Sequence, residues 1–489
     1  MQLQSSSNLQ PVDATDPAPT RVDERRLHIL VSLAGLNMAQ DYYETGVLDE
    51  LATNFDLSFV LSPKARGEEQ LRSYGPVHRL PADPYWRTML YTIGKGCWHY
   101  HRRRAFIVTD HQRRYRSLIG LGFVRRVIVK TAISLGLSAP IGLMIRQILR
   151  WTTPDMLPNF QSVDAVLMVW ALESSFNDDT IRDGRKKAVP VLGVQANLDN
   201  IATKTAYESV DYAAVWGVQD LLNCVHAHGV RPDRAFVTGS PRFSAHRHAP
   251  SKSASREEFE IPKDKRVILF CGTGVPFNET EVLAKLQTAF DRGGIPRDIE
   301  VLYRPHPNRP VWSGWEKTKI LPAETEFLRA APEDKLNGDG VAFYSRLFAA
   351  ADAVISPFST MVIEAAGYGL PVLCIGYNDK AEEMRFDWSA NIFAGHMATI
   401  HHGDWALVCR DPDHLINHFE ALLERIGDEE IAENARVANE FANRTGRQSV
   451  GYRLARALKT IVEMEASSRQ CTGRSALRKR VPQHVPSES

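Results

Sequence analysis

Four side chains in the C-terminal half of the chain have the types and the spacing needed to hold an anionic ligand. Ser359 and Thr360 follow an apolar run and begin a predicted helix, and Glu364 lies about one helical turn further on. His306 stands in the tetrapeptide RPHP, directly after another apolar run. Hydroxyls, helix N-terminal amides and an imidazole donate hydrogen bonds to phosphate oxygens, whereas a carboxylate accepts them from sugar hydroxyls. The simpler interpretation is that Ser359 or Thr360 caps a helix and that His306 lies in an ordinary turn.

A glycine-containing turn and an arginine fit the same chemistry. Gly272, Thr273 and Gly274 form a turn between a predicted strand and a predicted helix, and glycine lets a phosphate group approach the backbone closely. Arg304 ends the predicted strand that leads to His306. Because open α/β sheets bind ligands at the carboxyl ends of their strands, we expect these residues to form one phosphate-binding site.

The elements around these residues follow the pattern strand, turn, helix, strand, which is typical of parallel α/β proteins. Such units occur on both sides of the polar residues 245–258, so the sequence predicts two Rossmann-like domains. The first domain opens with predicted strands at 26–32 and 57–61, and the loop between strand and helix contains a single glycine, Gly35. It lacks a GxGxxG fingerprint, which argues against a dinucleotide cofactor. The polar residues 173–187 are predicted to form a loop.

Length and composition indicate an ordinary globular protein of two or three domains, with 489 residues, 44% apolar and 24% charged. Six cysteines without a CxxC pair argue against a zinc cluster or a disulfide framework and suit a reducing cytosol. The predicted organisation is a disordered leader (1–23), an N-terminal Rossmann-like domain (24–244), a linker (245–258), a C-terminal Rossmann-like domain (259–466) and a disordered basic tail (467–489).

Residues 85–151 differ in composition from the rest of the chain. They carry thirteen Arg and Lys residues and one acid, Asp110, with interleaved aromatic residues, whereas the whole chain has a net charge of +1. The helical spacing of basic and apolar residues predicts a basic helical insertion that meets an anionic membrane surface or an anionic acceptor. One alternative is a set of basic helix faces turned to water. Another is nucleic acid binding, but no nucleic-acid-binding module accompanies the segment, and no nucleic acid partner is expected.

The segment that carries Ser359, Thr360 and Glu364 resembles the nucleotide-binding segment of GT-B fold glycosyltransferases and CDP-glycerol glycerophosphotransferases. In both, a strand, a small-residue turn and a Glu-bearing helix precede Gly-hydrophobe-Pro, which here is Gly-Leu-Pro. The RPHP tetrapeptide, about fifty residues upstream, is similar to a second nucleotide-binding motif of these families. The resemblance implies two Rossmann-like domains facing a cleft, with the C-terminal domain holding the nucleotide donor and return helices crossing back to the first domain.

Two segments of the N-terminal domain resemble surface-carbohydrate glycosyltransferases. Leu198–Lys204 is similar to a Trp-Asp-Asn-Leu-Thr-Thr-Lys motif, although Leu198 replaces the Trp and Ala202 replaces a hydroxyl residue. Val237–Phe243 is similar to a Val-Thr-Gly-Ala-Pro-Arg-Phe strand end that closes this domain. The resemblance implies that the N-terminal domain binds the acceptor.

Transfer to an acceptor hydroxyl needs a base, or ion-pair chemistry that makes a base less necessary. The resemblance implies that such a base comes from the N-terminal domain. Asp199, in the matched segment, is the first candidate and Asp183 the second, although either carboxylate is also suited to capping a helix or turn. Asn37, Asn200 and Lys204 are the candidates for contact with the acceptor. An Asp-x-Asp motif does not occur in a suitable position, which favours a metal-independent reaction without a cofactor.

The sequence therefore predicts transfer of a sugar, or a polyol phosphate, from a nucleotide-activated donor to a cell-envelope glycan or a lipid-linked acceptor. The expected location is the cytoplasm, at the inner face of the plasma membrane. One alternative is an isomerase of the UDP-N-acetylglucosamine 2-epimerase type, which would need no basic aromatic surface because its substrate is soluble. The other is a non-catalytic GT-B fold binding protein, which the missing Trp suggests.

Overall fold

The computed structural model describes residues 25–35, 38–102, 117–118, 121–156, 163–171, 174–245, 249–273, 279–306, 318–321, 340–377, 395–401 and 403–478. The strands form two parallel sheets, one in each half of the chain. This arrangement confirms the predicted α/β class with two Rossmann-like domains. The predicted leader lies outside the described residues.

The first sheet has seven strands: β1 (His28–Leu33), β2 (Asp56–Leu61), β3 (Val77–Arg79), β4 (Ala165–Trp170), β5 (Val191–Gln195), β6 (Tyr212–Val215) and β7 (Ala235–Val237). Their order is β3-β2-β1-β4-β5-β6-β7. Ile29 and Val31 pack in one hydrophobic layer and Leu30 in the layer on the opposite face. A strand covered on both faces must be apolar at successive positions, which explains the unbroken apolar runs of the sequence.

The second sheet has six strands: β8 (Arg266–Cys271), β9 (Ile299–Arg304), β10 (Thr318–Ile320), β11 (Ala353–Pro357), β12 (Val372–Ile375) and β13 (Ala406–Cys409). Their order is β10-β9-β8-β11-β12-β13. The chain leaves β8 toward β9 on one side and returns to β11 on the other side. The loops after β8 and β11 therefore diverge and open a crevice at the carboxyl ends of these strands.

Helices flank both sheets. Those of the first domain are α1 (Met38–Glu44), α2 (Val47–Asn54), α3 (Glu68–Leu71), α4 (Tyr85–Arg102), α5 (Phe123–Ser134), α6 (Ser138–Trp151), α7 (Ser175–Lys186), α8 (Leu198–Thr203), α9 (Val218–His228) and α10 (Pro241–Ser244). Those that follow are α11 (Lys252–Glu258), α12 (Glu279–Asp291), α13 (Gly340–Ala350), α14 (Thr360–Gly367), α15 (Leu415–Glu424), α16 (Glu429–Ala442) and α17 (Val450–Arg478). Helix α17 returns to the first domain and packs against α2, β4 and β6.

The insertion between β3 and β4 is helical where the structure describes it, and it corrects one argument from the sequence. The basic residues of this segment were expected to lie outside the core, but three of them are held in ion pairs within the domain. Arg87 is buried and donates to both carboxylate oxygens of Asp179, at 2.5 and 2.6 Å. Arg146 and Arg150 both donate to the buried carboxylate of Glu208, at 2.8–3.2 Å. Part of the charge imbalance is therefore balanced by acids outside residues 85–151.

The same ion pairs explain why the loop predicted at 173–187 is wrong. Ser175–Lys186 forms helix α7, and its polar side chains Asn177, Asp178, Asp179 and Arg182 are buried. Arg182 bridges Asp179 and Glu208 at 3.0 and 3.1 Å. The buried face of α7 is polar because it packs against charged side chains, among them Arg87 of the insertion. Such a helix lacks the apolar periodicity that identifies a helix in a sequence.

Two other predicted irregular segments contain helices. Within the predicted linker, Ser251 caps α11 by accepting a hydrogen bond from the Ala254 amide at 3.2 Å. Arg256 of α11 pairs with Asp352 of the second domain. The tail predicted to be disordered from 467 is helical as far as Arg478, because α17 continues past its last buried residues. Residues 479–489 lie outside the described part.

Candidate functional site

Three loops of the second domain meet at the carboxyl ends of β9, β8 and β11. His306 follows β9, Gly272 and Thr273 follow β8, and Ser359 follows β11. Since β8 lies between the other two strands, the His306 and Ser359 loops are separated by two strand spacings of about 5 Å each. The two sequence motifs therefore lie at the same edge of one sheet.

Gly272 allows the first two loops to pack closely. Its amide donates to the Arg304 carbonyl at 2.8 Å, and a Cβ at this position would lie 2.6 Å from the His306 nitrogen. Glu279, which the sequence analysis did not single out, accepts a hydrogen bond from the Thr273 amide at 2.6 Å. Its other oxygen accepts one from the Tyr303 hydroxyl at 2.8 Å. These contacts hold the His306 loop beside the glycine turn. Gly274 lies outside the described residues.

Ser359 occupies the N-cap position of α14, but its side chain makes no capping hydrogen bond. Its Oγ lies 3.0 Å from Ser356 Oγ, and Ser356 donates to the carbonyl of Pro357 at 2.9 Å. Ser359 and Thr360 are half-buried. The simpler interpretation, in which the Ser359 hydroxyl caps the helix, does not describe this geometry. The N-terminus of an eight-residue helix and two hydroxyls thus border the crevice after β8 and β11.

Two arginines, one from each domain, converge on the same crevice. Arg304 is buried and donates to the Tyr344 hydroxyl, and the Arg242 guanidinium lies 4.5 Å from the centre of the Tyr344 ring. Arg242 Nε also lies 3.9 Å from the buried carboxylate of Glu364, on α14. Arg242 belongs to the segment Val237–Phe243, which was predicted to close the first domain. That position was the one sequence feature from which a contact of Arg242 with the second domain could have been predicted. Cations, hydroxyls and helix amides suit an anion, while Glu364 suits the hydroxyls of a ligand.

The acceptor-side candidates form a separate cluster on α8, at the carboxyl end of β5. Asn200 is fully buried and donates to the Trp170 carbonyl at 3.3 Å. Lys204 donates to the Asn200 amide oxygen at 2.6 Å and lies 3.5 Å from Asp199. Asp199 is the accessible member, with 35% of its side chain exposed. Helix α8 packs against Gly395–His401 of the second domain, so this cluster lies at the interdomain face. Asn37 lies outside the described residues.

Asp220, which sequence reasoning missed, supports the turn that carries Asp199. It accepts a hydrogen bond from Gln195 at 2.8 Å, and Gln195 also donates to the Asn197 carbonyl at the start of α8. Burial raises the pKa of Asp220 to about 7, although the hydrogen bond from Gln195 opposes the increase. No local sequence pattern marks an acid whose partner lies on another element.

Asp183 does not occupy the position expected of a base. It is buried in the last turn of α7, where it accepts a hydrogen bond from the Met156 amide at 2.9 Å and pairs with Lys187 at 3.2 Å. The last turn of a crossover helix lies near the start of the next strand, and a Cβ on the neighbouring Gly184 would meet Val191 of β5. Asp183 therefore lies at the amino edge of the first sheet, away from the ligand edge, and it anchors the chain after α6.

Known proteins resemble the chain in fold. Neither a protein-family model nor a curated protein matches it. A structure from Listeria monocytogenes assigned as a UDP-N-acetylglucosamine 2-epimerase superposes with a TM-score of 0.52 and 15% identity, covering 90% of this chain and 98% of the other. The S. aureus MnaA–UDP structure has a TM-score of 0.50 and 11% identity, covering 89% and 97%. The protein has a GT-B fold. The wall teichoic acid polymerase TagF matches at a TM-score of 0.47 and 10% identity, over 90% of this chain and 89% of TagF.

The two domains of this GT-B fold also contact each other beside the candidate site. Glu44, at the end of α1, accepts hydrogen bonds from the amides of Gly340 and Val341, at 3.2 and 2.6 Å. This carboxylate caps α13, the helix that carries Tyr344. Gln40 of the same helix donates to Glu44 at 2.5 Å. The packing of the first domain therefore helps to position α13, beside the crevice after β8 and β11.

Two cavities that are open to solvent lie where the two domains meet. One cavity, of about 460 Å³, is lined by Ser240, Phe243 and the four arginines Arg436, Arg444, Arg447 and Arg453. Another of about 830 Å³ lies between α1, α2 and α13. The described residues include no cluster of three or more His, Cys, Asp and Glu side chains placed to hold a metal ion. Among the described helices, none combines the length and the apolarity that crossing a bilayer requires.

Proposed function

We propose that this protein is an enzyme that transfers a sugar, or a polyol phosphate, from a nucleotide-activated donor to a cell-envelope glycan or a lipid-linked acceptor. The observation that carries this proposal is the crevice after β8 and β11. His306 and Ser359 follow β9 and β11 at the carboxyl edge of the second sheet, where α14 begins, and the Arg242 and Arg304 guanidinium groups both lie against the Tyr344 ring. Such a set of donors and cations stabilises a phosphate that gains charge as it leaves.

Each group has a role in that reaction. The phosphates of the donor lie against the first turn of α14, with Ser359 and Thr360 donating to their oxygens. His306 donates to the phosphate oxygen that receives the electron pair of the breaking bond, which places its effect mainly in the transition state. Glu364 accepts hydrogen bonds from the ribose hydroxyls of the donor. These roles need a nucleotide leaving group and leave its base unspecified.

Asp199 is the proposed base for the acceptor. Its exposed carboxylate lies on α8, which contacts the second domain, and Lys204 provides a nearby positive charge. The acceptor oxygen forms its new bond as the bond to the nucleotide phosphate breaks, and its proton passes to Asp199. No metal or cofactor is part of this proposal. The acceptor is proposed to be carried on a lipid at the inner face of the plasma membrane, which would give the insertion a role in presenting it.

A thermal-shift screen against CDP-, UDP-, GDP- and CMP-linked compounds tests the donor site, because a ligand of the folded state raises its stability. His306→Ala should preserve folding and lower turnover with the best donor by about two orders of magnitude. His226→Ala, at an exposed position of α9, is the control and should change neither. If none of the four classes raises the melting temperature, the donor proposal is wrong.

Turnover with and without an acceptor separates the proposed transferase from its rivals. A transferase releases the nucleotide only when a suitable acceptor is added, and Asp199→Asn should abolish that release while leaving the thermal shift unchanged. A 2-epimerase would interconvert a UDP-linked amino sugar without any acceptor. A non-catalytic binding protein would show the thermal shift and release no nucleotide with any acceptor tested.

A further inference from the structure

The consecutive helices α5 and α6 expose an unusual amount of apolar surface. On α5, Phe123, Val124, Val127 and Ile128 are exposed, with Phe123 at 81% and Val124 at 69%. On α6, Leu143 and Met144 are exposed at 49% and 57%. Most of the large apolar side chains that are exposed in the described residues lie between residues 85 and 151. We call the outward face of α5 and α6 the hairpin surface.

The hairpin surface is not the face that holds these helices to the protein. The opposite face of α5 carries Val129 and Ala132, and that of α6 carries Ile145 and Leu149. These four residues are buried in a small core shared with α4. Each helix therefore has one apolar face that folds the insertion and a second that faces outward. A helix that is apolar on its outward face needs a partner outside the domain.

The charges around the hairpin surface indicate which partner fits. Residues 121–151 contain no Asp or Glu. Arg146 and Arg150 are held by Glu208, but Arg126 and Lys130 are exposed on α5, next to the apolar residues. A twofold interface with a second copy would bring this surface against itself and place cations together without a carboxylate. An anionic lipid surface offers acyl chains to the apolar residues and phosphates to the cations.

We infer that the hairpin surface is a hydrophobic anchor that lies in the headgroup region of an anionic membrane. The apolar side chains of α5 and α6 enter the boundary between headgroups and acyl chains, and Arg126 and Lys130 meet lipid phosphates. This differs from attachment through arginines alone, because burial of apolar surface persists at salt concentrations that screen exposed charges. The inference does not depend on the proposed transfer reaction, since it uses no residue of the crevice.

Co-sedimentation with vesicles tests the anchor, using a matched pair of double variants. Val124→Asp with Leu143→Asp places two charges on the hairpin surface. Val437→Asp with Leu222→Asp makes the same changes at exposed positions of α16 and α9, where the side chains are 61% and 50% exposed. The first variant should lose about tenfold or more in partitioning to phosphatidylglycerol vesicles, and the control less than twofold. Thermal unfolding of both variants should match that of the unmodified protein.

Salt and a second variant separate the two contributions. The unmodified protein should retain a measurable part of its binding to anionic vesicles at high salt, and Arg126→Gln with Lys130→Gln should weaken binding mainly at low salt. Equal binding by the hairpin variant and its control would overturn the inference, as would complete loss of binding at high salt. If the unmodified protein sediments as a dimer that the hairpin variant dissociates, and it ignores vesicles, the surface is instead a self-association interface. Nucleotide-induced thermal shifts should persist in the hairpin variant. The membrane inference and the donor-site proposal can therefore be refuted independently of each other.

Discussion

Replacing Glu208 by glutamine tests how the helical insertion is attached to the first domain. The Glu208 carboxylate is fully buried and accepts hydrogen bonds from Arg146, Arg150 and Arg182, at 2.8–3.2 Å. Two of these arginines belong to α6 and the third to α7. A fourth guanidinium group, that of Arg185, lies 3.6 Å from the same carboxylate. A glutamine has nearly the same shape but no charge, so it leaves four guanidinium groups around a neutral amide. The variant therefore removes the charge of the attachment and little of its volume.

The pKa of Glu208 gives the size of the effect. Burial alone would raise this pKa, but the hydrogen bonds from Arg150 and Arg146 outweigh burial and lower it from 4.5 to about 2. The difference between a pKa of 4.5 and one of about 2 corresponds to about 3 kcal/mol in the free energy of unfolding. Because the pKa is depressed in the folded state, this contribution is present above about pH 4.5 and is lost as the pH falls toward about 2. Removing one partner of a buried ion pair costs about 3–5 kcal/mol, which agrees in size.

Urea unfolding at neutral pH, followed by circular dichroism, should show Glu208→Gln less stable by about 3–5 kcal/mol. Hydrogen exchange should show whether α6 opens first, because loss of the attachment would expose its amides before those of the sheet. Asp233→Asn is the matched control: Asp233 pairs with Arg231 on the surface, where both side chains are at least half exposed. That change should cost less than about 1 kcal/mol. If Glu208→Gln were as stable as the control variant, with unchanged exchange in α6, the charge network would not hold the insertion.

Three further variants test the crevice and its supports. Gly272→Ala should weaken nucleotide-induced thermal shifts, because the new Cβ would lie 2.6 Å from the His306 nitrogen, whereas Gly122→Ala, whose nearest contact would be at 3.7 Å, should not. Burial raises the pKa of Asp220 to about 7, so the ionised carboxylate lowers the free energy of unfolding increasingly from about pH 4 to pH 7. Asp220→Asn removes this charge. The variant should therefore have a free energy of unfolding higher by up to about 4 kcal/mol above neutral pH, and nearly unchanged in acid. Arg242→Gln should reduce turnover by about tenfold and Arg242→Lys by less, as measured by nucleotide release; equal rates in both and in the unmodified protein would remove Arg242 from the site.

The loops at the carboxyl edge of the second sheet could be predicted from the sequence because their signals are local. The turn with Ser359 and the RPHP loop each follow an apolar strand, and parallel strands bring such loops to one edge whatever lies between them. Glu279 and Arg242 were missed for the opposite reason. Their partners, Thr273 and Glu364, lie on other elements, and Arg242 reaches the crevice from another domain. A sequence pattern reports the period of one element and not the contact between two.

The insertion and α7 show the limit of composition as a guide. Arg87 contributes to an excess of basic residues in one window, while its partner Asp179 lies 92 residues further on, in a stretch that is rich in acids. Considered separately, the first segment indicates a cationic surface and the second a solvated loop. Considered together, they form a buried ion-pair network, because a charge can be buried when a partner and hydrogen bonds satisfy it. Of the interleaved aromatic residues, Phe123 and Trp151 are exposed, whereas Tyr91 and Trp98 are buried.

Arg242 brings a residue of the first domain to the proposed donor site in the second domain. Arg242 lies at the end of the first domain, and it contacts Tyr344 and Glu364, which both belong to the second. The chain returns to the first domain through α17. Arg453 of this helix donates to the carbonyls of Thr238, after β7, and of Arg444, after α16. It therefore joins the segment that leaves the first domain to the segment that returns to it. The Arg242 guanidinium lies 3.9 Å from the Glu364 carboxylate of the other domain. Because the attraction between charges weakens with distance, the effect of Arg242 on an anion bound to the second domain depends on how close the two domains are. Binding of the proposed donor should therefore depend, through Arg242, on the contact between the two domains.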